Sequence, residues 1–152
     1  MPRRVVPVSS ENQVFQRAEV LGRNRTRRHH YGQLLVEGVR PIERLVRSDW
    51  RVEAFLYARD RPLSPWARRV LAGSRAPVHY ELTLPLLARL TDRQEPTELI
   101  AIAAIPADDA GRIRLRPDPA PLLVACDGPS SPGNLGSIVR SADAFGDRKS
   151  VV

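Results

Sequence analysis

The chain is short of cysteine, of lysine and of long apolar runs, and each shortage removes a class of protein. Its one cysteine, Cys126, excludes an internal disulfide and any cysteine-rich zinc site. The longest wholly apolar run, residues 99–105, falls far short of the ~20 residues that a membrane helix needs. The N-terminus, Met1-Pro2-Arg3-Arg4, is basic but lacks the roughly 7–15-residue apolar stretch of a signal peptide. Neither Gly-x-Gly-x-x-Gly nor Gly-Lys-Ser/Thr occurs, which weakens a Rossmann-type nucleotide-binding reading. There is no internal repeat and no low-complexity segment. These shortages predict a cytoplasmic protein with no membrane contact.

What is present points to a polyanion. The 152 residues hold 24 basic against 17 acidic side chains, a formal net charge of +7, and all the basic residues but Lys149 are arginine. Such a balance favours nucleic acid or another polyanion as partner. At 42% hydrophobic residues, the chain can also bury a core.

Along the chain, residues 1–10 read as a flexible arm with two prolines. A helix is expected after Ser10, with Val14, Phe15, Ala18 and Leu21 at helical spacing and Gly22 as its end. The densest basic patch follows: Arg23, Arg25, Arg27, Arg28, His29 and His30, closed by Tyr31. The bland reading of this patch is a solvated loop. The sharper one is RNA contact, since arginine binds phosphate and histidine and tyrosine stack on bases.

Residues 33–37 read as a strand broken by Gly38. Val39, Ile42, Leu45 and Val46 then give a helix an apolar face, with Pro41 in its first turn. Residues 52–57 are rich in strand formers. Ser64-Pro65 is a cap followed by a first-turn proline, opening a helix that Gly73 closes. A third strand at 77–80, a helix from Thr83 to Leu90 and a buried strand at 99–105 complete the alternation. Residues 11–105 therefore predict a small α/β domain. Residues 106–120 look like a linker, with a strand-like patch at 113–116. A second unit, 121–146, reads as a buried strand at 122–126, a loop, and a helix over 135–145. One strand and one helix cannot bury their own apolar faces.

The loop and helix of that second unit carry the most specific pattern. It runs Asp127-Gly128-Pro129-Ser130-Ser131-Pro132-Gly133-Asn134-Leu135-Gly136-Ser137-Ile138-Val139-Arg140-Ser141-Ala142-Asp143-Ala144-Phe145-Gly146. The glycines let backbone and ligand approach closely. Asn134 can cap the helix or hydrogen-bond to a substrate, and Arg140 can clamp phosphate through two N–H groups. This stretch closely resembles the first signature motif of the SpoU (TrmH-like) RNA ribose 2′-O-methyltransferases: an apolar strand, then Pro-Gly-Asn-x-Gly and Ile-x-Arg-(Thr/Ser)-Ala-x-Ala-Phe-Gly. Ser141 stands where threonine is commoner. A second resemblance lies upstream, where the basic stretch, Leu35-Val36-Glu37-Gly38 and an amphipathic helix look like the opening of the family's accessory substrate-binding domain. Glu95-Pro96-Thr97 before an apolar strand resembles that domain's end.

The resemblance implies a small N-terminal α/β RNA substrate-binding domain, similar to ribosomal-protein RNA binders. The first strand and helix of a trefoil-knotted SPOUT methyltransferase domain would follow. It implies methyl transfer from S-adenosylmethionine to a ribose 2′-hydroxyl of ribosomal or transfer RNA, without metal, in a homodimer. Asn134 and Arg140 take the catalytic positions. Guanidinium stays charged in proteins, so Arg140 is better suited to positioning and electrostatics than to acting as a base. No position here matches the family's cofactor-binding motifs. The present chain is therefore expected to bind RNA without methylating it, and a non-catalytic RNA-binding module is the alternative.

Lesser features have plainer expectations. Glu37 reads as a strand-end carboxylate, Trp50 and Trp66 as packing residues, His79 as ordinary, and Cys126 as a buried, inert thiol. Asp127 is either a turn former or a site residue. The tail, 147–152, contains the lone lysine and its back-translation resembles a sequencing-library adapter. It is expected to be non-native, with the natural frame ending near Gly146.

Overall fold

The computed structural model describes residues 4–91, 97–109, 111, 124–128 and 130–145. They fall into two compact units that divide after Pro106. The expected patch at 113–116, Leu122, Leu123 and the tail at 147–152 lie outside the described residues, as do Glu95 and Pro96 of the upstream resemblance.

The first unit is a five-stranded mixed sheet in the order β1-β4-β3-β5-β2. Its strands are β1 (Arg4–Val8), β2 (Gln33–Glu37), β3 (Val52–Ala58), β4 (Val78–Leu82) and β5 (Leu99–Ala104). Strands β1, β4 and β3 run parallel, while β5 is antiparallel to both β3 and β2. Helices α1 (Gln13–Arg23), α2 (Arg25–Tyr31), α3 (Val39–Arg47), α4 (Pro65–Gly73) and α5 (Leu84–Arg89) fill the connections.

Strand periodicity explains the two cores. Side chains alternate between sheet faces, so β3 sends Ala54, Leu56 and Ala58 to one side and Phe55 and Tyr57 to the other. The first set packs with Phe15, Ala18 and Leu21 of α1 and with Leu86 and Leu87 of α5. The second packs with Ile42 and Leu45 of α3 and with Ala67 and Leu71 of α4. A strand covered on both faces must be apolar throughout, hence the uninterrupted 99–104 run. Trp50 and Trp66 pack against the second core, and Trp66 Nε1 donates to Glu43 Oε1 at 3.2 Å. His79 is buried on β4, edge-on to Phe55 at 5.9 Å between ring centres.

Several sequence expectations are corrected. Residues 4–8 are not a flexible arm: they form the edge strand β1, register Arg4 with Val78, and bury Val8 completely. Pro7 is tolerated there because an edge strand need not donate on its outer side. Helix α1 is capped by Asn12 rather than Ser10; the Asn12 side chain accepts from the Val14 and Phe15 amides, and the helix passes through Gly22 to Arg23. The basic patch is not a loop: Arg23 ends α1, and the rest forms helix α2, capped by Asn24 and ended by Gly32 at φ 58°. That left-handed conformation is open to glycine at no steric cost. On α3, Ile42 and Leu45 are buried while Val39 and Val46 stay exposed.

In the second unit, Val124, Ala125 and Cys126 are not in a strand. A strand exists by pairing with a neighbour, and no strand of this unit is found among the described residues. Cys126 is half-buried rather than fully buried. Helix α6 (Pro132–Ala144) begins three residues earlier than expected, with Ser131 as its cap and Pro132 in its first turn.

Candidate functional site

Two groups of sequence-nominated residues lie in separate units. In the first unit, helix α2 is pinned at its middle and at its last residue. Arg28 donates from Nη1 to the carbonyl oxygens of Leu21 at 3.5 Å and Gly22 at 3.4 Å. These belong to the last turn of α1, where carbonyls lack intrahelical partners. Tyr31, the last residue of α2, is covered by the Arg17 guanidinium at 4.6 Å from its ring centre. Arg17 Nε also donates to Gln33 Oε1 at 3.0 Å, and Gln33 donates onward to Glu53. Burial pushes the Glu53 carboxyl up, but the hydrogen bonds from Arg51 and Gln33 outweigh it and hold the group below its ordinary value.

The six nominated residues of the patch therefore divide. Arg28 anchors helix to helix. Arg23 is held by Glu19 at 3.3 Å and by the Arg89 carbonyl at 3.4 Å. Arg25, Arg27 and His29 are exposed, and their side chains make no hydrogen bond or ion pair among the described residues. His30 is also exposed and meets Tyr31 edge-on at 5.1 Å. Sequence reasoning could not single out Arg28 as an anchor, because its acceptors lie six or seven residues back on another helix, whereas the Glu19–Arg23 pair at i, i+4 was a readable signal.

In the second unit, Asn134 and Arg140 both lie on α6. Asn134 does not cap the helix: Ser131 Oγ accepts from the Asn134 amide at 3.4 Å. Its own side chain is left exposed in the first turn, with no hydrogen bond among the described residues. Arg140 folds back along the helix, where Nη2 donates to Ser137 Oγ at 3.2 Å. Ser137 Oγ donates in turn to the Gly133 carbonyl at 3.1 Å. A Cβ on Gly136 would sit 3.3 Å from Arg140 Nη1, so the missing side chain leaves the guanidinium its resting place. Six residues along a helix place Asn134 and Arg140 about 9 Å apart along the axis and about 120° apart around it. The two catalytic nominees are thus on one helix but not in one cluster. Arg140's recorded neighbours are Ser137 and Gly136, of which sequence reasoning had missed Ser137. A serine at i−3 from an arginine was the available signal.

Asp127 is exposed. Among the described residues no group of three or more His, Cys, Asp or Glu side chains could hold a metal ion. No described helix is long and apolar enough to cross a membrane.

The first unit, a mixed sheet covered on both faces by helices and bearing a basic helix, is an α/β domain with exposed cationic side chains on α2. Residues 12–101 match the SpoU L30e-like domain. The chain belongs to the SpoU family. It is 44% identical over 140 residues to a 23S rRNA (uridine(2479)-2′-O)-methyltransferase of Streptomyces viridochromogenes, spanning 91% of this chain and 48% of that protein. Its fold is similar to the crystal structure of the SpoU methyltransferase AviRb from the same organism in complex with AdoMet. That match has TM-score 0.77 and 42% identity, over 91% of this chain and 52% of the other. It is also similar to the crystal structure of an RNA 2′-O ribose methyltransferase, with TM-score 0.72 and 30% identity, over 95% and 54% of the two chains. The chain thus spans about half the length of these relatives.

Proposed function

We propose that this chain supplies the RNA-binding domain and the first catalytic motif of an RNA ribose 2′-O-methyltransferase. The observation that carries the reading is Arg140 resting on Gly136 and Ser137 on the exposed side of α6, within the motif that the sequence shares with SpoU enzymes. The relatives' activities support it.

Ribose 2′-O-methylation requires a hydroxyl to be positioned and its proton to become more labile. A fixed positive charge beside that hydroxyl, or beside the adjoining phosphate, favours the developing alkoxide. Arg140 offers such a charge, and its planar fork can take a phosphate through two N–H groups. The unbonded Asn134 amide can both donate and accept, which suits a ribose hydroxyl or a base edge.

S-adenosylmethionine is the methyl donor in this reading. The residues present do not by themselves fit it. Its sulfonium is a cation; α6 carries two charged groups, the Arg140 guanidinium, which repels one, and Asp143, a single exposed carboxylate that is too little to hold one. Asn134 and Arg140 are therefore assigned to the RNA side of the reaction. By themselves the residues of this chain bind RNA rather than transfer methyl to it.

The test is to incubate the chain with ribosomal RNA and S-adenosylmethionine labelled in its methyl group. RNA retained by the protein, with no label in the RNA, is the expected result. Absence of RNA binding overturns the reading, and labelled RNA overturns the division of labour.

A further inference from the structure

The arginines that the fold leaves unneutralised are concentrated where the sequence patch is not. On α1 and α5 themselves, each arginine side chain is engaged, and on the neighbouring α2 only Arg25 and Arg27 are not. Arg17 bonds Gln33, Arg23 bonds Glu19, and Arg89 pairs with Glu11 and Glu19 while lying 4.9 Å from the centre of the Phe15 ring. The opposite side is covered by α3 and α4. These helices carry Arg40, Arg44, Arg47, Arg68 and Arg69 against a single carboxylate, Glu43. Glu43 is itself occupied by the Trp66 indole N–H. All five arginines are exposed, and among the described residues none of their side chains makes a hydrogen bond or ion pair.

Helical geometry aligns them. Arg40, Arg44 and Arg47 follow the i, i+4, i+7 spacing and form one stripe. Ile42 and Leu45 define the buried side of α3, so the stripe faces almost directly away from the core. On α4, Ala67 and Leu71 are buried, which turns Arg69 outward and Arg68 to the flank. The Trp66–Glu43 bond ties the two helices side by side. A groove of about 500 Å³ lies where both helices end, lined in part by Trp50 and Arg75. Asp49 also lines it and is the one exposed carboxylate there.

A row of like charges at i, i+4 destabilises an isolated helix by a few tenths of a kcal/mol per pair. Here the row has one carboxylate on its helix, Glu43, which the Trp66 indole engages. We propose that the outer face of α3 and α4 is a phosphate-binding surface for structured RNA, separate from helix α2 and built on Arg40, Arg44, Arg47 and Arg69. This rests on the RNA-modifying reading above and names the surface that makes the contact. Charge complementarity favours an RNA backbone: four guanidiniums on rigid helices can each engage a phosphate, and no apolar centre of the kind protein partners bury lies among them.

The test is RNA binding by this chain, read as the dependence of affinity on salt with a ribosomal RNA stem-loop as probe. Each lost phosphate contact lowers the slope of log K against log salt by about 0.7–0.9. The variant R40Q/R44Q/R47Q/R69Q is expected to lower it by about 3 with an unchanged far-ultraviolet spectrum. The lysine version of the same four positions keeps most of the slope. The pair R25Q/R27Q on α2 is the comparator. Undiminished slope in the four-site glutamine variant, with wild-type binding intact, overturns this surface and leaves the RNA reading standing. Failure of the wild-type chain to bind RNA overturns both. Loss of binding to polyglutamate, with RNA binding unaffected, assigns the face to an acidic protein and overturns the proposal.

Discussion

Arg140 and Ser137 are joined by a hydrogen bond of 3.2 Å from guanidinium Nη2 to hydroxyl Oγ, one helical turn apart on α6. The serine spends its own proton on the Gly133 carbonyl, so it presents a lone pair to the arginine. The guanidinium is thereby held along the helix, with N–H groups left over.

Gly136→Ala tests that arrangement. The new Cβ would meet Arg140 Nη1 at 3.3 Å, and the flexible end of the arginine is what must yield. Alanine is the better helix former by about 1 kcal/mol. Thermal unfolding should therefore be unchanged or slightly improved, while RNA affinity falls. A variant that loses helicity by circular dichroism contradicts this account.

Within α2 the arginines should separate in two assays. Arg28→Ala removes the donor to the Leu21 and Gly22 carbonyls and should cost about 1 kcal/mol in urea unfolding. Arg25→Ala and Arg27→Ala should stay within about 0.5 kcal/mol of wild type and weaken RNA binding instead.

Ser64 is a double anchor. Its hydroxyl accepts from the Ala67 amide at 3.1 Å as the cap of α4 and donates to Glu98 Oε2 at 2.8 Å. Ser64→Ala should destabilise the domain by about 1–2 kcal/mol. Ser64→Asp keeps a capping oxygen but sets a second carboxylate against Glu98, and should not recover the loss.

Alkaline stability should depend on Tyr57. Burial, reinforced by the charge and hydrogen bond of Glu81 at 3.2 Å, pushes its phenol up to about 12 from 10.0. A raised acid favours the folded state below the unfolded value, and that contribution is lost as pH climbs through the folded one. Unfolding free energy should thus decline between about pH 10 and 12, by up to about 2–3 kcal/mol. Tyr57→Phe should flatten this decline. An equally steep fall in that variant points to another group.

How much was legible beforehand varies with the range of the interaction. The strand at 33–37, the Ser64-Pro65 helix start and the apolar 99–104 run were readable because caps, prolines and side-chain period act within a few residues. Residues 4–8 were not, since an arm and an edge strand differ only by a partner: β4, some 70 residues away. Asn134 reads equally as a helix cap or a substrate contact, and only the first is removed, because Ser131, three residues earlier, offers the same hydrogen bond.

The sequence by itself determined the family motif, the net charge and the alternation of strand and helix, all of which are written in local order. Only the tertiary structure decided which arginines are spent. Neutralisation is a matter of distance, and Glu11, Glu19 and the α1 carbonyls reach Arg89, Arg23 and Arg28 through folding. The same folding turns Arg40, Arg44, Arg47 and Arg69 away from the core, where none of them forms an ion pair among the described residues.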